Sequence, residues 1–257
     1  IVAIYRKDLD YGLAHLDVAS GRFNILNFTG EELLASELER LKPAELLISE
    51  NNMFAQLLPN KGIRYRPEWE FDIATSTKIL CEQFGTQDLS GFGLINEHQL
   101  ATCAAGCLLQ YVKYTQKQAL PHIQALTLER RDEAIIIDAA SQRNLEITTN
   151  LNGSSDHTLF SILDNTQNPM GSRLLARWLQ RPIRDQIILQ KRQQAIACLL
   201  QDDAYQELNA ELTKIGDLER ILTRIGLRTA RPRDLSTLRD SLKIIPLLKQ
   251  KLQNTHS

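Results

Sequence analysis

The 257-residue chain contains few cysteines, few aromatic residues and no long apolar run. Its four cysteines stand at positions 81, 103, 107 and 198. These spacings match neither a disulfide scaffold nor a zinc site, so we expect the reducing environment of a cytoplasm. The longest apolar stretch, Leu100 to Val112, is interrupted by two polar residues and is shorter than the ~18 residues that a membrane span requires. We therefore expect no membrane contact, and no signal peptide pattern precedes this stretch.

Motifs of catalysis and phosphate binding are also missing. The sequence has no Gly-x-x-x-x-Gly-Lys-Ser/Thr, the loop that cradles nucleotide phosphates, so we expect no ATP hydrolysis. Its five histidines are scattered and no serine or cysteine stands in a nucleophile-elbow context, which leaves no catalytic triad. A two-metal nuclease needs several converging carboxylates. Asp17 stands alone on its predicted strand, and Asp8 and Asp10 fall in a turn, so we expect neither catalysis nor a bound metal or cofactor.

The composition is that of an ordinary folded protein, with 43% hydrophobic and 24% charged residues, and the length predicts two domains. The net charge of −1 hides a small asymmetry. Residues 1–128 carry 11 basic and 15 acidic side chains, a balance of −4, and residues 129–257 carry 19 and 16, a balance of +3. Nucleic-acid modules show a clearer basic stripe. The chain begins in a strand-like run without an initiator methionine, so we expect a piece of a longer protein.

Residues 1–125 are predicted to form an α/β domain. Alternating apolar and polar residues predict three antiparallel strands over 1–6, 11–19 and 22–28. Further helices are predicted at 30–41, 49–58, 71–84 and 100–114, with short strands at 44–48 and 63–66. Thr29 and Glu32 have the spacing of a capping box, and the helix over 100–114, apolar on nearly all sides, is expected at the centre of the domain. This order of elements is typical of a ribonuclease-H-like fold.

Residues 126–257 are predicted to form an all-α domain. A last strand-like run covers 134–137, and helical periodicity then covers 138–149, 156–163, 169–180, 184–201, 203–214, 217–227 and 232–252. Asn168 followed by Pro169 predicts a capped helix start, and Asp185 and Asp217 stand in or near first turns, where a carboxylate favours the positive end of the helix dipole.

Two clusters of functional residue types have a structural and a functional interpretation. Cys103 and Cys107 share a helix face but lack a second ligand pair, so we interpret them as small core residues. Arg220, Arg224 and Arg228 recur every four residues and are predicted to share a helix face. This stripe either lies near DNA phosphates or pairs with nearby carboxylates such as Glu219, Asp234 and Asp240, which is the commoner use of such arginines.

Several blocks of the sequence, in order, resemble MutS-type DNA mismatch repair proteins of bacteria. Blocks that resemble the connector domain are Asp10–Phe23, Phe84–Thr86, Ala104–Leu109 and Leu120–Ile123. Blocks that resemble the helical core, or lever, domain are Arg143–Ile147, Pro169–Leu175 and Gly216–Leu222. The resemblance covers essentially the whole chain. It implies a dimeric ATPase that recognises mispaired bases, bends the DNA and recruits MutL.

The resemblance also implies what this part of such a protein does. In the family a Phe-x-Glu motif reads the mismatch in a domain expected before residue 1, and a P-loop domain expected beyond residue 257 uses ATP and Mg²⁺. This chain would link the two without catalysis, in a bacterial cytoplasm, as part of a homodimer on mismatched duplex DNA. In the family, the connector also offers a surface to MutL.

Within the connector, the helix over 72–84 is our candidate for the MutL contact. Thr75, Lys78 and Glu82 fall on one polar face, which leaves Ile73, Leu80 and Phe84 for the core. The three polar residues are equally compatible with a merely solvated face. Two other functions remain open from the residues alone: a ribonuclease-H-like nuclease, and an independent helical adaptor with no role at DNA.

Overall fold

The structure, a computed structural model, describes residues 1–51, 62–117 and 119–254. The chain divides into two compact units. The first consists of Ile1–Arg130 with Ile137–Gln142, and the second of Arg131–Ile136 with Arg143–Ser257. The first is an α/β unit and the second is helical, which confirms the predicted class and order of the two parts. The predicted helix over 49–58 falls mainly outside the described residues.

The α/β unit is built on one mixed sheet. Its strands among the described residues are β1 (Val2–Lys7), β2 (Asp10–Asp17), β3 (Arg22–Thr29), β4 (Leu46–Ser49), β5 (Ile63–Arg66) and β6 (Thr127–Leu128). They lie in the order β5-β4-β1-β2-β3-β6. The first three strands are antiparallel neighbours, whereas β4 runs parallel to β1, β5 parallel to β4, and β6 parallel to β3. The three predicted antiparallel strands and the predicted strand over 63–66 are confirmed.

The strand predicted over 134–137 is wrong. Ala134 forms a single bridge with Ile183, and Ile135 and Ile136 are exposed. The strand that completes this side of the sheet is β6, where Asn24 pairs with Thr127. A run of four apolar residues carries no information on which strand it would pair with, and no regular strand among the described residues lies beside it.

Three helices pack on the sheet: α1 (Glu31–Leu41), α2 (Ile73–Phe84) and α3 (Gln99–Gln116). One face of the sheet packs against α1 through Leu34 and Leu38. On the other face, α3 contacts β1 and β2 and is buried along most of its length, as predicted for the helix over 100–114. At Gly12 of β2 the two backbones lie so close that a side chain has no room.

The predicted capping box of α1 is wrong. The N-cap residue is Gly30, which has no side chain to offer. The hydroxyl of Thr29 instead donates to Asp10 Oδ1 at 2.5 Å. Thr29 is the last residue of β3 and faces Asp10 across the strand pair, so sheet pairing determines its partner.

His15 on β2 is a partly buried imidazole and gives the first unit an expected pH dependence. Burial, supported by the positive charge of Arg40, lowers the pKa of His15 to about 4. The unfolded chain binds a proton near pH 6.5, whereas the folded unit resists it, so stability is lost as the pH falls from 6.5 to 4. We expect the difference in unfolding free energy between the wild type and His15→Gln to change by up to roughly 3 kcal/mol between pH 7 and pH 4. Urea titrations at both pH values measure it, and a constant difference would contradict this account.

The helical unit contains most of the remaining helices. Among the described residues after 130, the helices are α4 (Ala139–Asn144), α5 (Leu159–Leu163), α6 (Pro169–Gln180), α7 (Gln186–Leu200), α8 (Ala204–Leu212), α9 (Leu218–Gly226) and α10 (Pro232–Asn254). The first of these begins in the segment 137–142, where Gln142 Nε2 donates to the carbonyl oxygens of Ser36 and Ile137 at 3.2 and 2.8 Å.

The predicted helix starts of the second unit are confirmed. Asn168 Oδ1 accepts from the backbone N–H of Gly171 at 3.0 Å, with Pro169 as the first helical residue of α6. Asp185 caps α7 through the N–H of Ile187 at 2.8 Å. Asp217 is the N-cap residue of α9.

The helical unit has a thin core. Its buried apolar residues include Leu208, Ile215 and Ile221, whereas α6 and α7 contain no buried residue and α10 only Ser241 among their described positions. Fewer buried contacts leave backbone hydrogen bonds easier to open. We therefore expect amides after residue 200 to exchange with solvent at least about tenfold faster than those of 100–114. Hydrogen–deuterium exchange of the intact chain measures this, and equal protection throughout would refute it.

Candidate functional site

The predicted MutL-facing helix, α2, has well-defined ends. At its start, Asp72 accepts a hydrogen bond from the N–H of Thr75 at 2.8 Å, and this bond lowers the pKa of Asp72. At its end, Gly85 adopts the left-handed conformation, with φ 66°. The helix lies close to α3, because a Cβ at Gly106 would stand 2.3 Å from Ser76 Oγ. One face of α2 is thereby fixed on the domain and the other is exposed.

Thr75, Lys78 and Glu82 are all exposed on α2, and Leu80 is buried as predicted. The prediction that Ile73 lies in the core is wrong, since it is 38% exposed. It is the first residue of the helix and stands three positions before the first buried one, Ser76.

The charged pair on this helix is weakly held. Lys78 Nζ lies 4.0 Å from Glu82 Oε1, and the two side chains are 78% and 62% exposed. Such a pair contributes at most about 0.5 kcal/mol and does not fix either side chain. A shallow groove runs alongside, lined by Ile73, Ala74, Thr77, Lys78, Cys81, Glu82, Gly85, Thr86 and Gln87. The exposed side of α2 therefore combines an apolar groove with two charged groups that a partner can rearrange.

The carboxyl ends of parallel strands are where open α/β sheets bind ligands. At this edge Tyr5 donates to Glu68 Oε1 at 2.7 Å, and Ser49 donates to Glu68 Oε2. Beside them Glu70, only 3% exposed, receives two hydrogen bonds from Arg66 at 2.8 and 2.5 Å. The carboxylates at this edge are thus held by protein donors.

The remaining acidic candidates lie apart from this edge. Asp17 accepts from Ala19 N and Ser20 Oγ in the turn after β2, at 3.1 and 2.6 Å. Asp8 is a turn residue with φ 57°. In 1–51, 62–117 and 119–254 no group of three or more histidine, cysteine or acidic residues is placed to hold a metal ion.

Cys103 and Cys107 are buried core residues, which confirms their predicted role. Burial raises the pKa of Cys103 to about 12, and burial next to the Glu70 carboxylate raises that of Cys107. The Cys107 thiol donates to Glu70 Oε2 at 3.7 Å. Both thiols therefore stay protonated and unreactive at neutral pH.

The structure places the arginine stripe differently from the prediction. Arg220 and Arg224 lie on α9, but Arg228 follows the end of that helix at Gly226 and adopts a left-handed conformation with φ 54°. A shared face for all three is therefore wrong. The helical pattern in the sequence continues to 227, and the left-handed turn that ends it leaves no strong local signal.

The two helical arginines of the stripe have carboxylate partners. Arg224 Nη2 lies 2.6 Å from Asp234 Oδ1, and Arg220 Nε lies 3.6 Å from Asp217 Oδ2. The Arg224–Asp234 pair is one of the arginine–carboxylate pairs that the sequence indicates as the alternative to DNA contact. It engages the arginine that stands in the middle of the proposed stripe.

Arg173 on α6 is the residue that sequence reasoning missed. Its guanidinium donates to both oxygens of Asp217, at 2.8 and 2.7 Å, and also to Glu219 Oε2 at 2.8 Å. It therefore ties α6 to the start of α9, whose N-cap is Asp217. Arg173 lies 44 positions before Asp217 and 46 before Glu219, and no local pattern in the sequence pairs residues that far apart.

Comparison with protein families agrees with this two-part architecture. Residues 1–124 match the family model described as MutS domain II, and residues 140–257 match the model described as MutS domain III. The α/β unit and the helical unit thus carry two domains of a DNA mismatch repair protein. The chain belongs to the MutS family. Every helix among the described residues is too short or too polar to cross a membrane.

Proposed function

We propose that this chain is the noncatalytic middle of a mismatch-recognition ATPase and transmits conformational change between its DNA and ATP sites. The observation that carries the proposal is the succession of MutS domains II and III along one chain. Coupling over a distance requires rigid packed elements with discrete arrangements. The buried helix α3 and the Arg173 network that ties α6 to α9 supply such elements within the two units.

The α/β unit is proposed to be the connector, over residues 1–125, and to have a ribonuclease-H-like fold, with the helical core domain over 126–257. Its sheet order supports the fold assignment, because three antiparallel strands are followed by two strands parallel to β1 on its other side. This topology does not bring catalysis with it, since function depends on the site and not on the fold.

The chain itself is proposed to be neither a nuclease nor an ATPase, and to hold neither ATP nor Mg²⁺. Its sequence has no P-loop, and at the carboxyl edge Glu68 and Glu70 are each engaged by protein donors. We expect no cleavage of DNA or RNA with added Mg²⁺ or Mn²⁺. A nuclease activity that disappears in Asp17→Ala would overturn this proposal.

The surface proposed to contact MutL is the exposed side of α2, with Thr75, Lys78 and Glu82. Its support is the combination of a shallow apolar groove and a weakly paired lysine and glutamate at the rim. Partner surfaces commonly place polar residues around an apolar centre. Through the rest of the protein, the proposed partners are mismatched duplex DNA and a second subunit, in the cytoplasm of a bacterium.

Binding of purified MutL to the intact chain tests this surface. We expect weak binding, and at least about fivefold weaker binding by Lys78→Glu, because charge reversal at an interface rim disturbs electrostatic complementarity. Lys7→Glu, which reverses an exposed lysine at the end of β1, is the matched control and should leave the affinity unchanged. Equal affinities of wild type and Lys78→Glu would place the contact elsewhere.

Binding of DNA separates the mismatch-repair role from that of an independent adaptor. Without the mismatch-reading domain, we expect the chain to bind duplex DNA only nonspecifically, with a Kd on the order of 10⁻⁴ M at physiological salt. Fluorescence anisotropy with matched and mismatched duplexes measures this. A preference for the mismatch in this chain alone would contradict the proposed division of labour.

A further inference from the structure

Tyr5 and Ser49 place two hydroxyl groups on one carboxylate. They follow the paired residues Ile4 and Ile48 on the parallel strands β1 and β4, so they are neighbours at the carboxyl edge of the sheet. Tyr5 donates to Oε1 of Glu68 at 2.7 Å, and Ser49 donates to Oε2. Each oxygen of the carboxylate therefore has its own donor.

The side chains of both donors, Tyr5 and Ser49, also have contacts that do not involve Glu68. Ser49 is fully buried, and its oxygen accepts the N–H of Asn51 at 3.3 Å. The ring of Tyr5 stacks on Phe71, with centroids 4.9 Å apart. Burial and the hydrogen bond to Glu68 raise the pKa of Tyr5, so its hydroxyl keeps the proton that it donates. The position corresponds to the edge at which parallel strands hold ligands.

We propose that Tyr5 and Ser49 form a carboxylate-binding seat that the chain fills with its own Glu68, and that this internal ligand fixes the start of α2. Glu68 begins the short 3-10 helix Glu68–Phe71, which leads through Asp72 directly into α2. The neighbouring Arg66–Glu70 pair holds the same segment from the end of β5. The proposal is independent of which partner, if any, α2 binds.

Chemical rescue tests the seat. Glu68→Ala leaves two hydroxyl donors facing the place of the missing carboxylate. We expect this variant of the intact chain to have a lower Tm, and sodium formate at constant ionic strength to raise that Tm in a saturable way. Formate should leave the Tm of the wild type unchanged. A variant that does not respond to formate, or a wild type that responds equally, would overturn the proposal.

Two variants make the rescue specific. Tyr5→Phe combined with Glu68→Ala removes one donor and should abolish the formate response. Glu31→Ala removes an exposed glutamate of α1 and should neither lower the Tm appreciably nor create a response to formate.

Amide exchange tests whether the seat fixes α2. In Glu68→Ala we expect the amides of Ser76 and Thr77 to exchange on the order of tenfold faster, and to slow again in formate. If Glu68→Ala is not recovered folded, Glu68→Gln serves instead, because its amide offers one acceptor oxygen in place of two. Faster exchange at these amides in Glu68→Gln would support the proposal, and unchanged exchange would refute it.

Discussion

Gly12→Ala is expected to destabilise the α/β unit by about 3 kcal/mol or more and to lower its Tm by roughly 10 °C. The new Cβ would stand 2.0 Å from the carbonyl carbon of Leu100 and 2.1 Å from the nitrogen of Ala101. Both are backbone atoms at the start of α3, so no side-chain rotation relieves the overlap. Either α3 moves away from β2 or the sheet deforms, and in both cases buried contacts are lost. Thermal and urea unfolding measure the effect.

Gly91→Ala is the matched control for this substitution. A Cβ at Gly91 would meet no atom within 4 Å, and its backbone conformation is open to other residues. Its effect should remain within about 0.5 kcal/mol, or be slightly stabilising because alanine restricts the unfolded chain. If the two variants were equally stable, the close approach of β2 and α3 would not be as described.

Arg173→Ala is expected to destabilise the helical unit by about 2–3 kcal/mol, because it removes a two-pronged, charge-assisted contact and leaves Asp217 and Glu219 without that shared cation. The Arg173 side chain is 22% exposed, so solvent does not replace its contacts fully. Arg173→Lys should recover less than half of the loss, since an ammonium group lacks the planar fork that matches a carboxylate. Exchange of the α9 amides locates the effect.

Arg220→Ala provides the control, since it removes a different cation from the same Asp217. The Arg220 side chain is 56% exposed and its closest approach is 3.6 Å, so the expected cost is within about 0.5 kcal/mol. Losses of equal size in Arg220→Ala and Arg173→Ala would show that net charge, and not the buried geometry, stabilises this end of α9.

The cost of Arg173→Ala should also depend on pH. The hydrogen bonds from Arg173 hold the pKa of Asp217 below its usual value. A lowered folded pKa contributes stability above the unfolded pKa, about 4, and that contribution is lost as the pH falls through the folded value. The difference between wild type and Arg173→Ala should therefore shrink below pH 4. A difference that is independent of pH down to 3 would contradict the ion pair.

Local patterns predicted the parts of the fold that depend on neighbouring residues. Period-2 alternation predicted the antiparallel strands because successive side chains of a strand point to opposite faces of the sheet. Asn168 and Pro169 predicted the start of α6 because a cap is satisfied by the backbone three residues away. The Cys103 and Cys107 pair followed from helical spacing and the lack of further ligands.

Contacts between distant residues could not be predicted in the same way. Thr29 fits a local capping box, but its hydroxyl finds Asp10 across the sheet. Tyr5 and Glu68 are 63 residues apart, so the carboxylate seat has no sequence pattern to reveal it. The helical unit adds a different difficulty. Apolar periodicity shows which face of a helix is apolar, but it does not show whether another helix packs against that face. The exposed Leu235 and Leu242 of α10 illustrate this point.

The chain passes between its two units more than once, since residues 137–142 belong with the first unit after residues 131–136 have joined the second. No single cut of the polypeptide therefore separates them cleanly. A piece ending at residue 125 would lack β6. One ending at 130 would lack Gln142, whose side chain donates a hydrogen bond to the carbonyl oxygen of Ser36. Recombinant halves of this protein need overlapping ends.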